Sequence, residues 1–262
     1  MEERNTSLSA RSAVLSALLG CHPPRLPARQ LVRLGELFGI AEGTVRVALS
    51  RMVAAGDLVQ ADGQYTLAER LLERQARQDE SREPHVRPWD GSWEIAIVTA
   101  ERRAPADRAA LRDTMNRLRM GELREGAWMR PANLRREIPA VVRAQCTLLT
   151  GRPDDDPTPL LWDLDGWADR ARALEQDLER AAGLLAGVPA GDEHPAGRHA
   201  SVRPGALAGG FVLSARVLRH LLADPLLPPE LLSPSWPGGE LRARYDAFDR
   251  AYREALLRHL TG

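Results

Sequence analysis

The stretch from Leu26 to Gln64, LPARQLVRLGELFGIAEGTVRVALSRMVAAGDLVQADGQ, leaves the chain few ways to fold. Leu31, Leu34, Leu37 and Phe38 recur at helical spacing after Pro27, a residue tolerated in the first turn of a helix, and Gly39 stops the run. A second helix begins near Ala41 or Glu42 and runs to Gly56, with Val45, Leu49, Met52 and Val53 on one face. Beyond Gly56, LVQADGQYTL consists of two short alternating runs around Asp62-Gly63, a strong hairpin signal. Helix, tight turn, helix and hairpin in this order predict a winged helix-turn-helix.

The second of these helices has two unlike faces. Gly43, Arg46, Val47 and Ser50 share a stripe that the apolar pattern leaves in solvent. A helix of about twelve residues fits the major groove of DNA, where its exposed N-terminal side chains reach base edges. Arg46 is the expected base reader, because its planar fork matches guanine O6 and N7. Val47 and Ser50 are placed for a base or a thymine methyl, and Thr44 and Arg51 for phosphates. Arg11, near the start of an earlier helix at Leu8 to Leu19, and Gln64, beside the wing tip, are further phosphate candidates.

Charge alone does not announce a nucleic-acid partner. The 262 residues carry 36 basic and 36 acidic groups, so affinity for DNA has to come from a local patch and from dimerisation. Cys21 and Cys146 lack a paired spacing, which points to a reducing compartment. The opening MEERNTSLS lacks a signal-peptide pattern and no apolar run approaches a membrane span, so a soluble, cytoplasmic protein with no membrane partner is expected.

Chemistry-bearing constellations are not found. Cys21-His22 is an adjacent pair, and His194 and His199 stand in a loop of Gly, Pro and charged residues, so no metal and no cofactor is expected. The run GALAGG at Gly205 to Gly210 precedes no lysine and follows no strand, and Ser50, Ser92 and Ser214 lack an elbow motif. Asp154 to Asp156 lie between prolines, as in a solvated turn. The chain is therefore read as a non-enzyme. Two alternatives stay open: a metal-dependent nuclease using the central domain, whose first strand carries Glu94 but no aspartate, and a protein-binding adaptor whose winged helix does not engage DNA.

Along the chain, residues 1–83 form the DNA-binding domain, ending in a connector helix before Pro84 and Pro88. Residues 84–160 read as strand (Trp93 to Ala100), helix (Pro105 to Met120), short strand (Gly126 to Met129), short helix (Leu134 to Val142) and strand (Cys146 to Thr150). That order suggests a ferredoxin-like α+β domain. Residues 161–262 are helical, with helices at Leu164 to Leu185, Pro204 to Leu222 and Gly239 to Leu260. Trp167, Ala171, Leu174, Leu178, Ala181 and Leu185 make a stripe suited to core or to a coiled dimer surface. The fold class is α+β overall.

Three stretches carry a resemblance. They are GELFGIAEGTVRVALSRMVAAGDLV, the inter-domain PWDGSW at Pro88 to Trp93, and DPLLPPELLSPSWPG at Asp224 to Gly238, the last being the most specific. In this order they resemble the PaaX family of phenylacetate-catabolism repressors. That family combines a winged helix, a central domain similar to the CRISPR adaptation nuclease fold, and a helical C-terminal domain. The resemblance implies a homodimeric repressor on double-stranded operator DNA, released by an aryl-CoA thioester such as phenylacetyl-CoA. The ligand is expected between the central and C-terminal domains, with Arg203, Arg216 and Arg219 as partners for the phosphates of an acyl-CoA. Two departures stand out: the chain is short for the family, and its wing tip, Ala61 to Gln64, is acidic rather than basic.

Overall fold

The computed structural model describes residues 8–101, 103–186 and 202–261. The loop at Gly187 to Gly197, with His194, and the nearby His199 lie outside the described residues. Two compact units partition the chain. One is drawn from residues 1–82, 174–222 and 241–262, the other from 83–173 and 223–240. The segment expected as one helical domain, 161–262, is thus shared between the two units.

The first unit begins with α1 (Ala10–Leu19), capped by the Ser9 hydroxyl, which accepts from the Ser12 amide. Next come β1 (Arg25–Pro27), α2 (Ala28–Glu36), α3 (Glu42–Ala54), β2 (Leu58–Ala61), β3 (Gln64–Leu67) and α4 (Glu69–Arg82). The three strands form an antiparallel sheet in the order β1-β3-β2. The hairpin turns on Asp62 and Gly63, both at positive φ, which is the type I′ geometry that matches strand twist. Three helices on a small sheet with one hairpin make a winged helix-turn-helix. β1 is an addition to the expected elements, a three-residue strand in register with Gln64 to Thr66.

The second unit runs β4 (Trp93–Val98), α5 (Pro105–Arg117), β5 (Gly121–Arg124), β6 (Ala127–Pro131), α6 (Ala140–Gln145), β7 (Cys146–Gly151) and α7 (Thr158–Leu161). Its first six elements, up to β7, trace βαββαβ, and the antiparallel order β5-β6-β4-β7 is the ferredoxin-like one. The single strand expected near Gly126 is a hairpin of two, turning at Gly126, whose φ is 77°. The helix expected at Leu134 to Val142 starts only after Pro139, because a residue preceding proline is pushed out of the helical region. Ala96, Leu111, Met115, Trp128 and Val142 centre the core of this sheet and its helices.

Three long helices complete the chain: α8 (Leu164–Ala186), α9 (Pro204–Leu222) and α10 (Gly238–Thr261). Trp167, Ala171, Leu174, Leu178 and Leu185 of the α8 stripe are buried within this one chain, so they serve its own core rather than a coiled dimer surface. The segment between α9 and α10, expected to be extended, contains a short 3-10 turn at Pro229–Leu231 and belongs to the second unit. Trp236 stacks on Trp167 with centroids 4.6 Å apart.

That segment is fastened by a buried cation. Arg130 on β6 has no exposed surface. It donates to the carbonyls of Pro131 (3.0 Å), Arg119 (3.3 Å) and Leu226 (3.3 Å) and to Asn133 Oδ1 (2.8 Å). Asn133 Nδ2 donates to the same Leu226 carbonyl at 2.9 Å. Leu226 itself sits at φ 51° with its amide on Asp224 Oδ1, so the chain is turned to present that oxygen. Burial, with Arg136 nearby, lowers the proton affinity of Arg130, yet a guanidinium remains charged at neutral pH. Replacing Arg130 with methionine keeps bulk but removes the guanidinium donor from Asn133 Oδ1 and the Arg119 carbonyl, and one of two donors from the Leu226 and Pro131 carbonyls. The expected loss is about 3–5 kcal/mol in urea unfolding of the full chain, and an unchanged midpoint would refute this anchoring role.

Candidate nucleic-acid interface

The interface is built on the approach of α2 to α3. A Cβ on Gly35 would fall 2.5 Å from Val45 Cγ2, so only glycine lets the two helices pack at this distance. Gly39, at φ 67°, reverses the chain between them, and the Ile40 amide returns to the Gly35 carbonyl at 3.0 Å. Val45, Leu49 and Met52 of α3 are then buried, and the opposite face is left in solvent as the periodicity demanded.

On that outer face lie Gly43, Thr44, Arg46, Val47, Ser50 and Arg51, all exposed. Val47 shows 51% of its surface, an unusual display for a branched apolar side chain with no structural task there. Arg46 Nε donates to Glu42 Oε1 at 2.7 Å, one turn back. Both partners are more than half exposed, so this i,i+4 pair is worth only a few tenths of a kcal/mol and is easily exchanged. The Ser50 hydroxyl donates to the Arg46 carbonyl at 3.2 Å. Ala41 caps α3 without a side-chain acceptor, which leaves first-turn amides open to an anion.

The C-terminal end of α3 is fixed by Asp57, which is 2% exposed. Gly56 adopts φ 68°, and the Asp57 amide returns to the Met52 carbonyl at 2.8 Å. The Asp57 carboxylate accepts from Arg11 of α1 at 2.9 Å and from Arg70 of α4. Arg70 also donates to the carbonyls of Gly56 (3.1 Å) and Ala55 (3.3 Å), the last unpaired acceptors of the helix.

Arg11, Thr44, Val47 and Arg51 therefore surround one shallow depression between α1 and α3, while Arg46, Ser50 and Gly43 continue the exposed face. Gln64 is placed elsewhere. It is half-buried on β3, opposite Ala61 and Pro27, and lines a separate cavity of the first unit. The three arginines expected at an effector do not converge either. Arg203 is exposed at the start of α9, Arg216 pairs with Asp177 at 3.1 Å, and Arg219 stands at the rim of that cavity. Glu94, the acid weighed for nuclease chemistry, is bound to Arg136 at 2.6 Å. No group of three or more His, Cys, Asp or Glu side chains is placed for a metal among the described residues.

Asp57 and Arg70 were not singled out in the sequence. They are 13 residues apart, and nothing local joins an acid after a helix to an arginine in the next one.

Three family models match the chain in succession. Residues 9–71 match the PaaX-like protein model, 86–148 the PaaX protein central Cas2-like domain, and 203–262 the PaaX-like protein C-terminal domain. The chain belongs to the PaaX family. The solved structure of uncharacterized protein Rv0674 from Mycobacterium tuberculosis is similar over 97% of this chain and 99% of that one, with 44% identity and a TM-score of 0.74. No curated protein matches. Membership makes this PaaX-family chain a PaaX-like transcriptional regulator. The winged helix lies in the first matched span and the βαββαβ sheet in the second, and no helix among the described residues is long and apolar enough to cross a membrane.

If Asp57 fixes the end of α3, Asp57→Asn should cost about 1–3 kcal/mol, because two guanidiniums lose their countercharge at a buried site. Urea unfolding followed by circular dichroism measures it, and a loss within error of zero would mean that the helix end is held by its backbone bonds alone.

Proposed function

We propose that this PaaX-family regulator is a sequence-specific DNA-binding repressor that acts as a homodimer and is released by an aryl-CoA thioester such as phenylacetyl-CoA. The observation that carries the DNA-binding part is the outer face of α3, where Arg46, Val47 and Ser50 are exposed on a helix whose opposite side is core. Arg46 leaves Glu42 to reach a guanine edge, and Val47 meets a thymine methyl or sugar. Thr44, Arg51 and the open amides near Gly43 take phosphates. Arg11 keeps more than half of its side chain in solvent while bound to Asp57, which leaves it able to steady the DNA backbone.

Dimerisation supplies what the balanced charge does not, since two copies of α3 engage half-sites about one helical turn apart. The strand β7, at the sheet edge, exposes Leu148 and Leu149, a surface suited to a second copy. The effector reading draws on family membership alone, since Arg203, Arg216 and Arg219 do not converge on one point. Repression, cytoplasmic location and a non-enzymatic role belong to the same proposal.

The acidic wing favours one competing reading. Asp62 occupies the tip of the hairpin, where it repels a phosphate, as an adaptor that has given up DNA would tolerate. A gel-shift titration against the DNA upstream of the protein's own gene and its neighbours, with and without phenylacetyl-CoA, separates the readings. Specific binding released by the thioester is expected. Binding indifferent to the thioester removes this effector, and no binding at moderate salt favours the adaptor. On the binding sequence, Arg46→Ala should cost about 1–3 kcal/mol and relax one base position, whereas Arg51→Ala should lower the salt slope by about 1 without changing specificity. Unaltered specificity in Arg46→Ala removes it as a base reader.

A further inference from the structure

The first unit contains a cavity of about 570 Å³, well within the range of small-molecule sites. Its walls come from both parts of that unit: α1, β1, α2, β3 and α4 on one side and α9 and α10 on the other. Leu26, Leu34, Phe211, Leu218 and Leu256 give it an apolar body. Two contacts close its flanks, a Phe38–Phe211 edge contact at 5.1 Å and the Arg33 guanidinium on the Leu260 carbonyl at 3.1 Å.

Its charge is one-sided. Five arginines line it against two aspartates. Asp249 takes Arg82 at 3.1 Å and Arg253 at 2.9 Å, and Asp79 faces His22 at 3.0 Å, so both carboxylates are already engaged. Arg25, Arg74 and Arg219 are exposed at the rim. Arg253 Nε is buried and has no hydrogen-bond partner. Burial also pushes the Cys21 thiol up, so that group adds no negative charge to the wall. The Arg253 Nε is covered by protein atoms, so the donors open to an occupant are the exposed guanidiniums of the rim.

We infer that this cavity is a binding site for a small organic anion with an apolar body and a carboxylate- or sulfonate-sized head. The apolar portion lies among the leucines and Phe211, and the head pairs with the exposed guanidiniums of Arg25, Arg74 and Arg219, which also raise the local concentration of anions. The site is distinct from the face of α3, and its existence does not depend on the effector proposed above. It places an occupant between the winged helix and the C-terminal helices that pack on it.

The test uses two fluorescent probes of similar shape on the full chain: 8-anilinonaphthalene-1-sulfonate, which is anionic, and N-phenyl-1-naphthylamine, which is neutral. Saturable one-to-one binding of both is expected, with near-UV circular dichroism unchanged. Arg74→Met combined with Arg219→Met should weaken the sulfonate about tenfold and leave the neutral probe within about twofold, since both side chains are exposed and the fold is retained. Ala215→Trp, which fills the hollow from α9, should abolish binding of both. No saturable binding, survival of binding in Ala215→Trp, or equal effects of the double arginine replacement on the two probes each overturns the inference. The probe titration contains no DNA, so its failure leaves operator binding standing, and failure of operator binding leaves the probe result standing.

Discussion

The winged helix is held in shape by one buried carboxylate. Asp57 follows α3 directly and is bound by arginines from the helix before the motif and the helix after it, Arg11 and Arg70. A carboxylate removed from water is stable only while such partners remain, so the three helices are tied at the point where α3 ends. With that end fixed and Gly35 letting α2 press on Val45, the exposed face of α3 has one orientation relative to its own domain. Base reading by this face, as proposed, needs that rigidity, since an element free to swing samples many registers. The second unit uses the opposite charge in the same way, with buried Arg130 collecting carbonyl oxygens from segments 11 and 96 residues away.

Much of the architecture was legible because it is periodic. The core stripe of α3, the Asp-Gly hairpin and the apolar run of β4 each write their geometry into a few consecutive residues. What failed to show was short or non-local. β1 has three residues and exists only because β3 offers it a partner, and β5, GELR, carries no alternation to notice. The shift of α6 was readable in principle, since Ile138 precedes a proline. The division of the last hundred residues between two units was not, because it depends on the Leu226 carbonyl meeting Arg130 across the sequence. The turn PWDGSW proved local: Asp90 accepts the Ser92 amide at 2.9 Å and delivers Trp93 into the core.

For the site the same rule applies with sharper results. That Arg46, Val47 and Ser50 share one exposed face was legible because helical spacing alone decides which face residues share. Helical and hairpin patterns say nothing of neighbours, and so Arg11 was read without Asp57, Arg216 without Asp177 and Gln64 without the strand that half-buries it. The cavity had no signature in the sequence at all. Its lining is collected from several separate stretches, each of which reads as ordinary core.

The discontinuity of the first unit has a consequence for how the protein is made. The winged helix is synthesised before α9 and α10, the acceptor for Arg33 lies 227 residues downstream, and Phe211, the ring that covers Phe38, also arrives late. Until α9 and α10 have been synthesised, the hollow beside Leu26 and Leu34 lacks the wall that those two helices supply. The nascent chain thus spends most of its synthesis with an uncovered apolar flank, and closing it brings together residues of very large sequence separation, a slow step for which the intervening second unit has to be folded or held aside. The first unit is therefore completed only once α9 and α10 return to it.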